Sequence, residues 1–274
     1  MIKINKKDLK VGIAGIGTVG LPVARWLDSG EAGLKLTAVS TGNKDRALQN
    51  LNNLHNKIPI VEIEELAMLC DVIVECALPQ KFFDIANPVL RAGRTLILLS
   101  ATSLLKHMSL IDLARKTGGR IIIPSGAILG LDAVRTASLG TVHSVTMITR
   151  KPPKGLKKAP FIIEKGIKLE GLTKEKLLYE GPVTDAAEKF PANVNVAVAL
   201  SLAGIGPEKT RYQVWADPTV IRNTHIIKVE ADTASFEMTI GNVPTEENPA
   251  TGKIVCLSVI ETLRGLVSPF KVGT

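Results

Sequence analysis

The stretch Val11 to Gly20, VGIAGIGTVG, constrains the fold more than any other part of the chain. Its apolar start, Val11 to Ala14, reads as a buried parallel strand, and Gly15, Gly17 and Gly20 follow in G-x-G-x-x-G spacing. In such a turn the first glycine permits the bend. The second lets a pyrophosphate come against the backbone, and the third lets the next helix pack on the strand. Free N–H groups and the helix dipole then favour a phosphate at the helix N-terminus. Glycines also close ordinary strand-to-helix turns, so the motif gains weight from the amphipathic segment VGLPVARWLDSG that follows it. Gly15, Gly17, Thr18, Val19 and Gly20 are read as a dinucleotide phosphate site, for NAD or NADP. Pro22 falls in the first turn of a helix starting near Thr18, where it removes only an N–H that has no intrahelical partner.

Strand and helix patterns alternate through the first 126 residues. Leu34 to Ser40, Asp71 to Ala77, Arg94 to Leu99 and Arg120 to Ile123 read as strands. Asp45 to Leu54, Glu62 to Leu69, Pro79 to Leu90 and Ser109 to Thr117 read as helices. Strands separated by helices of this length imply a parallel sheet with right-handed crossovers, the Rossmann architecture. Beyond it the rhythm changes. Gly126 to Leu139 reads as helix, Val142 to Thr149 as strand, Lys151 to Lys158 as a solvated loop, and Thr184 to Gly204 as a helix pair. Thr210 to Trp215, Asn223 to Glu230 and Ser235 to Gly241 read as strands of a mostly antiparallel sheet. The expected fold is α/β, with a Rossmann domain over residues 1–126 completed by a C-terminal helix at about 250–274, and an α+β substrate or dimerisation domain over 127–249.

The formal charge of +8 raises the question of nucleic acid, but Lys and Arg are scattered, and a positive field suits an anionic cofactor and substrate equally well. No nucleic-acid partner is expected. Cys70, Cys76 and Cys256 lack the spacing of a zinc site, and their odd number argues against a disulfide framework. No metal is expected, and Cys76 reads as a core residue. No run of about 18 apolar residues suggests a membrane span, and residues 1–10 do not resemble a signal peptide, so a cytoplasmic protein is expected.

The second half carries a series of short signatures: SGAILGLDA from Ser125, FPANVNVA from Phe190, ADP from Ala216, NTH from Asn223 and NPAT from Asn248. In this order behind a Rossmann motif they resemble the L-aspartate dehydrogenase family across essentially the whole chain. The resemblance implies a two-domain homodimer that oxidises L-aspartate, a dicarboxylic amino acid, with NAD or NADP, often in connection with NAD biosynthesis. It also implies that the Ala127 backbone lies near the nicotinamide, that Asn193 is a second cofactor contact, and that His225 is catalytic. Ala77, at the end of DVIVECA, joins the cofactor set, and Ser125, Asn248 and Thr251 join the substrate set. Two departures stand out. Gly252 occupies a position where the family commonly has serine. The acidic residue expected about 20 residues past the fingerprint, which would bind a ribose 2′-hydroxyl, is replaced by Ser40, followed by Thr41, Asn43 and Lys44. Hydroxyls and an ammonium suit a 2′-phosphate, so NADP is expected to serve at least as well as NAD.

The chemistry agrees with these residues. Oxidising a 2-amino acid requires a neutral amine, a hydride leaving the α-carbon, and a group that takes and returns a proton. A histidine near its ordinary pKa of about 6.5 suits that task, so the rate is expected to follow a group titrating between about pH 6 and 8. His55, His107 and His143 lie in segments without converging motifs and read as solvated or structural. Asn248 and Thr251 are also ordinary helix caps, and the N–H groups of a final helix would suit a carboxylate. Two other functions fit the same fold: a dehydrogenase of a different small acid, and a noncatalytic dinucleotide sensor. The histidine favours an enzyme, because a sensor needs no proton shuttle.

Overall fold

The computed structural model describes residues 8–191, 194–248 and 251–273. Asn193 therefore lies outside the described residues. The chain divides into two compact units, one comprising residues up to Gly126 together with Val255–Val272, the other Ala127–Ile254.

In the first unit, β1 (Leu9–Ala14), β2 (Leu34–Ser40), β3 (Val72–Glu75), β4 (Thr95–Leu98) and β5 (Arg120–Ile122) form a sheet in the order β2-β1-β3-β4-β5. Every adjacent pair in it is parallel. The central strands are buried on both faces, which is why they read as continuous apolar runs. The crossovers are α1 (Gly20–Asp28), α2 (Lys44–Leu51), α3 (Ile63–Leu69), α4 (Phe82–Arg91), α5 (Ala101–Leu105) and α6 (Ser109–Thr117). Helix α1 starts at Gly20 rather than Thr18, and Pro22 still falls in its first turn. The core beneath α1 joins Val11, Ile13, Val23 and Leu27 to Val259 and Leu263 of the last helix.

The second unit contains α7 (Leu131–Ala137), β6 (Val142–Lys151), α8 (Pro160–Glu164), β7 (Lys176–Pro182), α9 (Val183–Lys189), α10 (Asn195–Ala203), β8 (Arg211–Ala216), β9 (Thr224–Ala231) and β10 (Ser235–Gly241), and α11 (Ile254–Val267) follows. Its sheet runs β10-β9-β6-β8-β7. All neighbours are antiparallel except β6 and β8, which are parallel. Sheet parity is clear on β6, where Val145, Met147, Thr149 and Lys151 are buried and the residues between them are half-exposed. The same face takes Tyr212, Val214 and Ala216 from β8 and His225, Ile227 and Val229 from β9. Helix α10 buries Ala197, Val198, Leu200 and Ser201, residues from all sides of its axis, as expected of a core helix.

The structure corrects three expectations. Residues 126–130 are not helical, because Gly126 and Gly130 take φ of +63° and +69°, which breaks the expected helix into a turn followed by α7. Lys151 ends β6 as a buried residue instead of opening a solvated loop. The strand β7 and helices α5 and α8 were not anticipated: α5 and α8 are each five residues long, too short for helical periodicity to register.

Candidate active site

At the C-terminal end of β1 the three fingerprint glycines divide by what the protein itself requires of them. Gly15 has φ +103°, and a Cβ there would stand 2.6 Å from the Cys76 carbonyl oxygen. A Cβ on Gly20 would collide with the Gly15 carbonyl. Both glycines are therefore demanded by packing. A Cβ on Gly17 would meet no atom of the described residues within 4 Å, so packing does not account for that glycine. This sorting fits a dinucleotide. The turn is tied down on three sides. Gly15 N–H donates to the Ser40 carbonyl at 2.8 Å, Asn50 Nδ2 donates to the Ile16 carbonyl at 3.0 Å, and Cys76 Sγ donates to the Gly15 carbonyl at 3.4 Å. Thr18 and Val19 are half-buried at the helix entry. The site lies between β1 and β3, where the strand order reverses, the place where open α/β sheets bind ligands.

Two neighbouring strand ends complete this edge. At the end of β2, Thr41 Oγ1 accepts from Asn43 N–H, Asn43 Oδ1 caps α2 through Arg46 N–H at 3.0 Å, and the exposed Lys44 pairs with Glu62 at 2.9 Å. No carboxylate takes the place of Ser40, and Lys44 is held by an exposed pair of the kind that opens at little cost. At the end of β3, Glu75 is fully buried and accepts from Leu99 N–H (3.2 Å), Ser100 N–H (3.0 Å) and Ser100 Oγ (3.0 Å), and also from Ala77 N–H. Burial pushes its carboxyl above the ordinary range, against the pull of these donors. Glu75 thus clamps the backbone of Cys76 and Ala77 to the end of β4. The Cys76 thiol, half-buried against the core, is pushed up by burial. Half-buried Ser125 follows β5, and the next residue, Gly126, donates its N–H to Ser258 Oγ of α11.

In the second unit, His225 is 4% exposed, and its Nδ1 lies 3.0 Å from Oγ1 of Thr149, its partner across β6 and β9. Thr149 also shares a hydrogen bond with Tyr212, whose phenol is pushed up to about 12 by burial. Nδ1 of the imidazole is therefore held by the Thr149 hydroxyl. Burial and the nearby Lys151 charge push His225 down to about 3, so the expectation of a free-enzyme histidine titrating between pH 6 and 8 is not met. The imidazole is neutral across the physiological range. Lys151, 6% exposed and one row along the same face, is pushed down to about 8 by burial. Its sequence neighbour Arg150 belongs to the opposite face and pairs with Glu175 and, at 3.0 Å, with Asp217, beneath the Trp215 ring. Asp217 in turn accepts from Thr219 N–H and Oγ1, which with Arg150 keeps its carboxyl low despite burial.

Asn242, just past β10, joins three of the signatures. Its backbone N–H donates to the Asn223 carbonyl at 2.8 Å, its Nδ2 donates to the Ala127 carbonyl at 2.9 Å, and a Cβ on Gly252 would stand 3.0 Å from its Oδ1. Ala127 and Asn223 come from the SGA and NTH segments, and Gly252 directly follows NPAT. Asn248 and Thr251 close a turn, with Thr251 N–H donating to the Asn248 carbonyl at 2.9 Å and Thr245 bonded to both residues, ahead of α11. The other histidines stand apart. His55 binds Asp28 at 3.0 Å, His107 stacks on Phe82 and Phe83, and His143 is exposed.

Sequence reasoning missed Thr149, Lys151, Tyr212 and Asn242. Strand parity held the signal: Val145, Met147, Thr149 and Lys151 alternate along β6, and Phe236, Met238, Ile240 and Asn242 alternate along β10 and past its end. A polar residue that keeps step with an apolar face is a buried polar residue.

Residues 132–266 match the family described as aspartate dehydrogenase, C-terminal, and residues 15–124 match that described as homoserine dehydrogenase, NAD binding domain. An L-aspartate dehydrogenase of Bradyrhizobium diazoefficiens is 48% identical over 97% of this chain and 95% of its own length. An L-aspartate dehydrogenase 3 of Bordetella bronchiseptica is 46% identical over 98% and 99%. The crystal structure of aspartate dehydrogenase from Thermotoga maritima superposes with a TM-score of 0.72 at 25% identity, covering 97% of this chain and 99% of that one. Similarity of this strength along nearly the whole sequence has one reading: the chain belongs to the L-aspartate dehydrogenase family.

Proposed function

We propose that this protein oxidises L-aspartate with NAD or NADP to iminoaspartate, which water converts to oxaloacetate and ammonia, or runs the same reaction in reverse. The observation that carries this reading is the neutral, buried His225, oriented by Thr149 at the polar end of the sheet face, in a chain aligned with L-aspartate dehydrogenases along nearly all its length. The dinucleotide supplies the hydride acceptor when bound. His225 takes a proton from the substrate ammonium or from the water that adds to the imine. Its basicity is low in the free protein and rises when the two carboxylates of aspartate come near, because opposite charge favours the imidazolium.

Gly15, Gly17, Thr18, Val19, Gly20 and Ala77 are proposed to hold the dinucleotide, with Ser40, Thr41 and Lys44 facing its 2′-position and favouring NADP. Ala127 and Asn193 are assigned to the nicotinamide, and Ser125, Asn248 and Thr251 to the substrate. A homodimer and a supply of iminoaspartate to pyridine-nucleotide synthesis complete the reading. No described helix is long and apolar enough to cross a membrane. The test is a panel of amino acids, and of 2-oxo acids with ammonia, followed by nicotinamide absorbance with each cofactor. Turnover on aspartate, or on oxaloacetate plus ammonia, is expected; turnover only on another acid overturns the assignment.

A further inference from the structure

The buried face of the second sheet is apolar along most of its length and polar at one end. Thr149 of β6 pairs with His225 of β9, which pairs with Ile240 of β10. One row further on the same parity stand Lys151, two residues past Thr149, and Asn242, two residues past Ile240, with Asn223 bonded between the strands. The two side chains differ from ordinary polar residues of a sheet end. Lys151 is 6% exposed and Asn242 is 5% exposed. Among the described residues, Asn242 Oδ1 is a buried side-chain oxygen without a hydrogen-bond donor, although Nδ2 of the same amide is bonded to Ala127. Leaving a buried acceptor unpaired is costly, and a bound ligand N–H removes that cost. The buried Lys151 ammonium brings a positive charge to the same end of the face, and that charge attracts a carboxylate. Arg150, the neighbouring cation, is committed to Glu175 and Asp217 on the opposite face and is not the one beside His225.

We infer that Lys151 and Asn242 form a substrate subsite beside His225, the Lys151 ammonium taking a carboxylate of the amino acid and the Asn242 amide oxygen taking an N–H of its amine. This rests on the dehydrogenase reading and names the side chains that select a 2-amino dicarboxylate. Lys151 has a second effect: its charge disfavours the imidazolium of His225, and a carboxylate bound to it removes that opposition.

Equilibrium binding tests the subsite without turnover. The protein saturated with reduced cofactor, NADH or NADPH, is titrated calorimetrically with aspartate and with succinate, which has the two carboxylates but no amine. The wild type should bind aspartate at least about fivefold more tightly than succinate, the scale of one added hydrogen bond. Lys151→Met should weaken both ligands about 20-fold or more, the scale of a lost charge-assisted contact. Asn242→Ala should abolish the preference for aspartate while leaving succinate within about twofold, since succinate offers no N–H. Reduced-cofactor affinity should be unchanged in each variant. Equal wild-type affinity for the two ligands overturns the role of Asn242 even if its variant does not fold. Unchanged succinate binding by Lys151→Met overturns the role of Lys151, and an equal loss of both ligands in Asn242→Ala reduces Asn242 to a brace for Ala127. Absent turnover on aspartate would instead count against the functional reading.

Discussion

Thr149 Oγ1 and His225 Nδ1 lie 3.0 Å apart, two buried side chains directly opposite each other on adjacent antiparallel strands. The hydroxyl fixes the imidazole ring, so His225→Asn and Thr149→Val should separate chemistry from orientation. His225→Asn should lower kcat about 10²-fold or more. Thr149→Val, which leaves a buried ring nitrogen unpaired, should cost about tenfold. Both should bind reduced cofactor as the wild type does, measured by nicotinamide fluorescence. Near-normal kcat in His225→Asn would remove the histidine from the mechanism.

The fingerprint glycines should respond differently to the same substitution. Gly17→Val places a Cβ where no atom of the described residues lies within 4 Å, so thermal unfolding should be nearly unchanged while dinucleotide affinity falls at least about tenfold. Gly15→Val forces a branched side chain into φ +103° and against the Cys76 carbonyl, and should fail to fold stably. Normal cofactor binding by Gly17→Val would mean that the phosphate site is elsewhere.

Cofactor choice should depend on the end of β2. Ser40→Asp with Lys44→Ala introduces a carboxylate for the ribose 2′-hydroxyl and removes an ammonium whose present partner, Glu62, is exposed. The ratio of kcat/KM for NADP to that for NAD should fall by about tenfold or more, the scale of a lost charged contact to phosphate. An unchanged ratio would leave these residues as a polar turn.

Lys151 should govern the alkaline limb of the pH profile. Its ammonium persists below about 8, so kcat/KM for aspartate should fall as pH rises through that value, and Lys151→Met should lack the limb. Stability should move the other way. Between about 8 and the ordinary lysine value of 10.5 the unfolded chain binds more protons than the folded one, so folding is favoured as pH rises through this window. The penalty at neutral pH is ~3 kcal/mol, and chemical denaturation at pH 7 should show Lys151→Met to be the more stable protein. A flat profile from pH 7 to 10 with both proteins would sink the assignment.

Glu75 should act on the fold around the cofactor edge. Glu75→Ala leaves the N–H groups of Ala77 and Ser100 without their buried acceptor, whereas Leu99 N–H keeps the backbone carbonyl of residue 75, and each lost acceptor costs about 1–3 kcal/mol. Denaturant unfolding should show a loss of about 3 kcal/mol or more. A loss below about 1 kcal/mol would mean that the clamp is dispensable.

The sequence by itself determined the parallel sheet of the first unit, its glycine turn and the family. Those features rest on local chemistry: apolar runs buried on both faces, glycines at fixed offsets, and signatures a few residues long. It also singled out His225 through the NTH motif. Only the tertiary structure decided what surrounds that histidine. Thr149 and His225 are 76 residues apart, and Asn242 and Ala127 are 115 apart, so no local pattern announces either pair. The state of the imidazole depends on burial and on Lys151, quantities that exist only once β6 and β9 are side by side. Lys151 itself looked like the start of a solvated Lys/Pro loop, because a lysine followed by two prolines is an ordinary surface sequence. Register carried it inward: the alternation that buries Val145 and Met147 runs two steps further, and sheet pairing, not composition, sets where it stops.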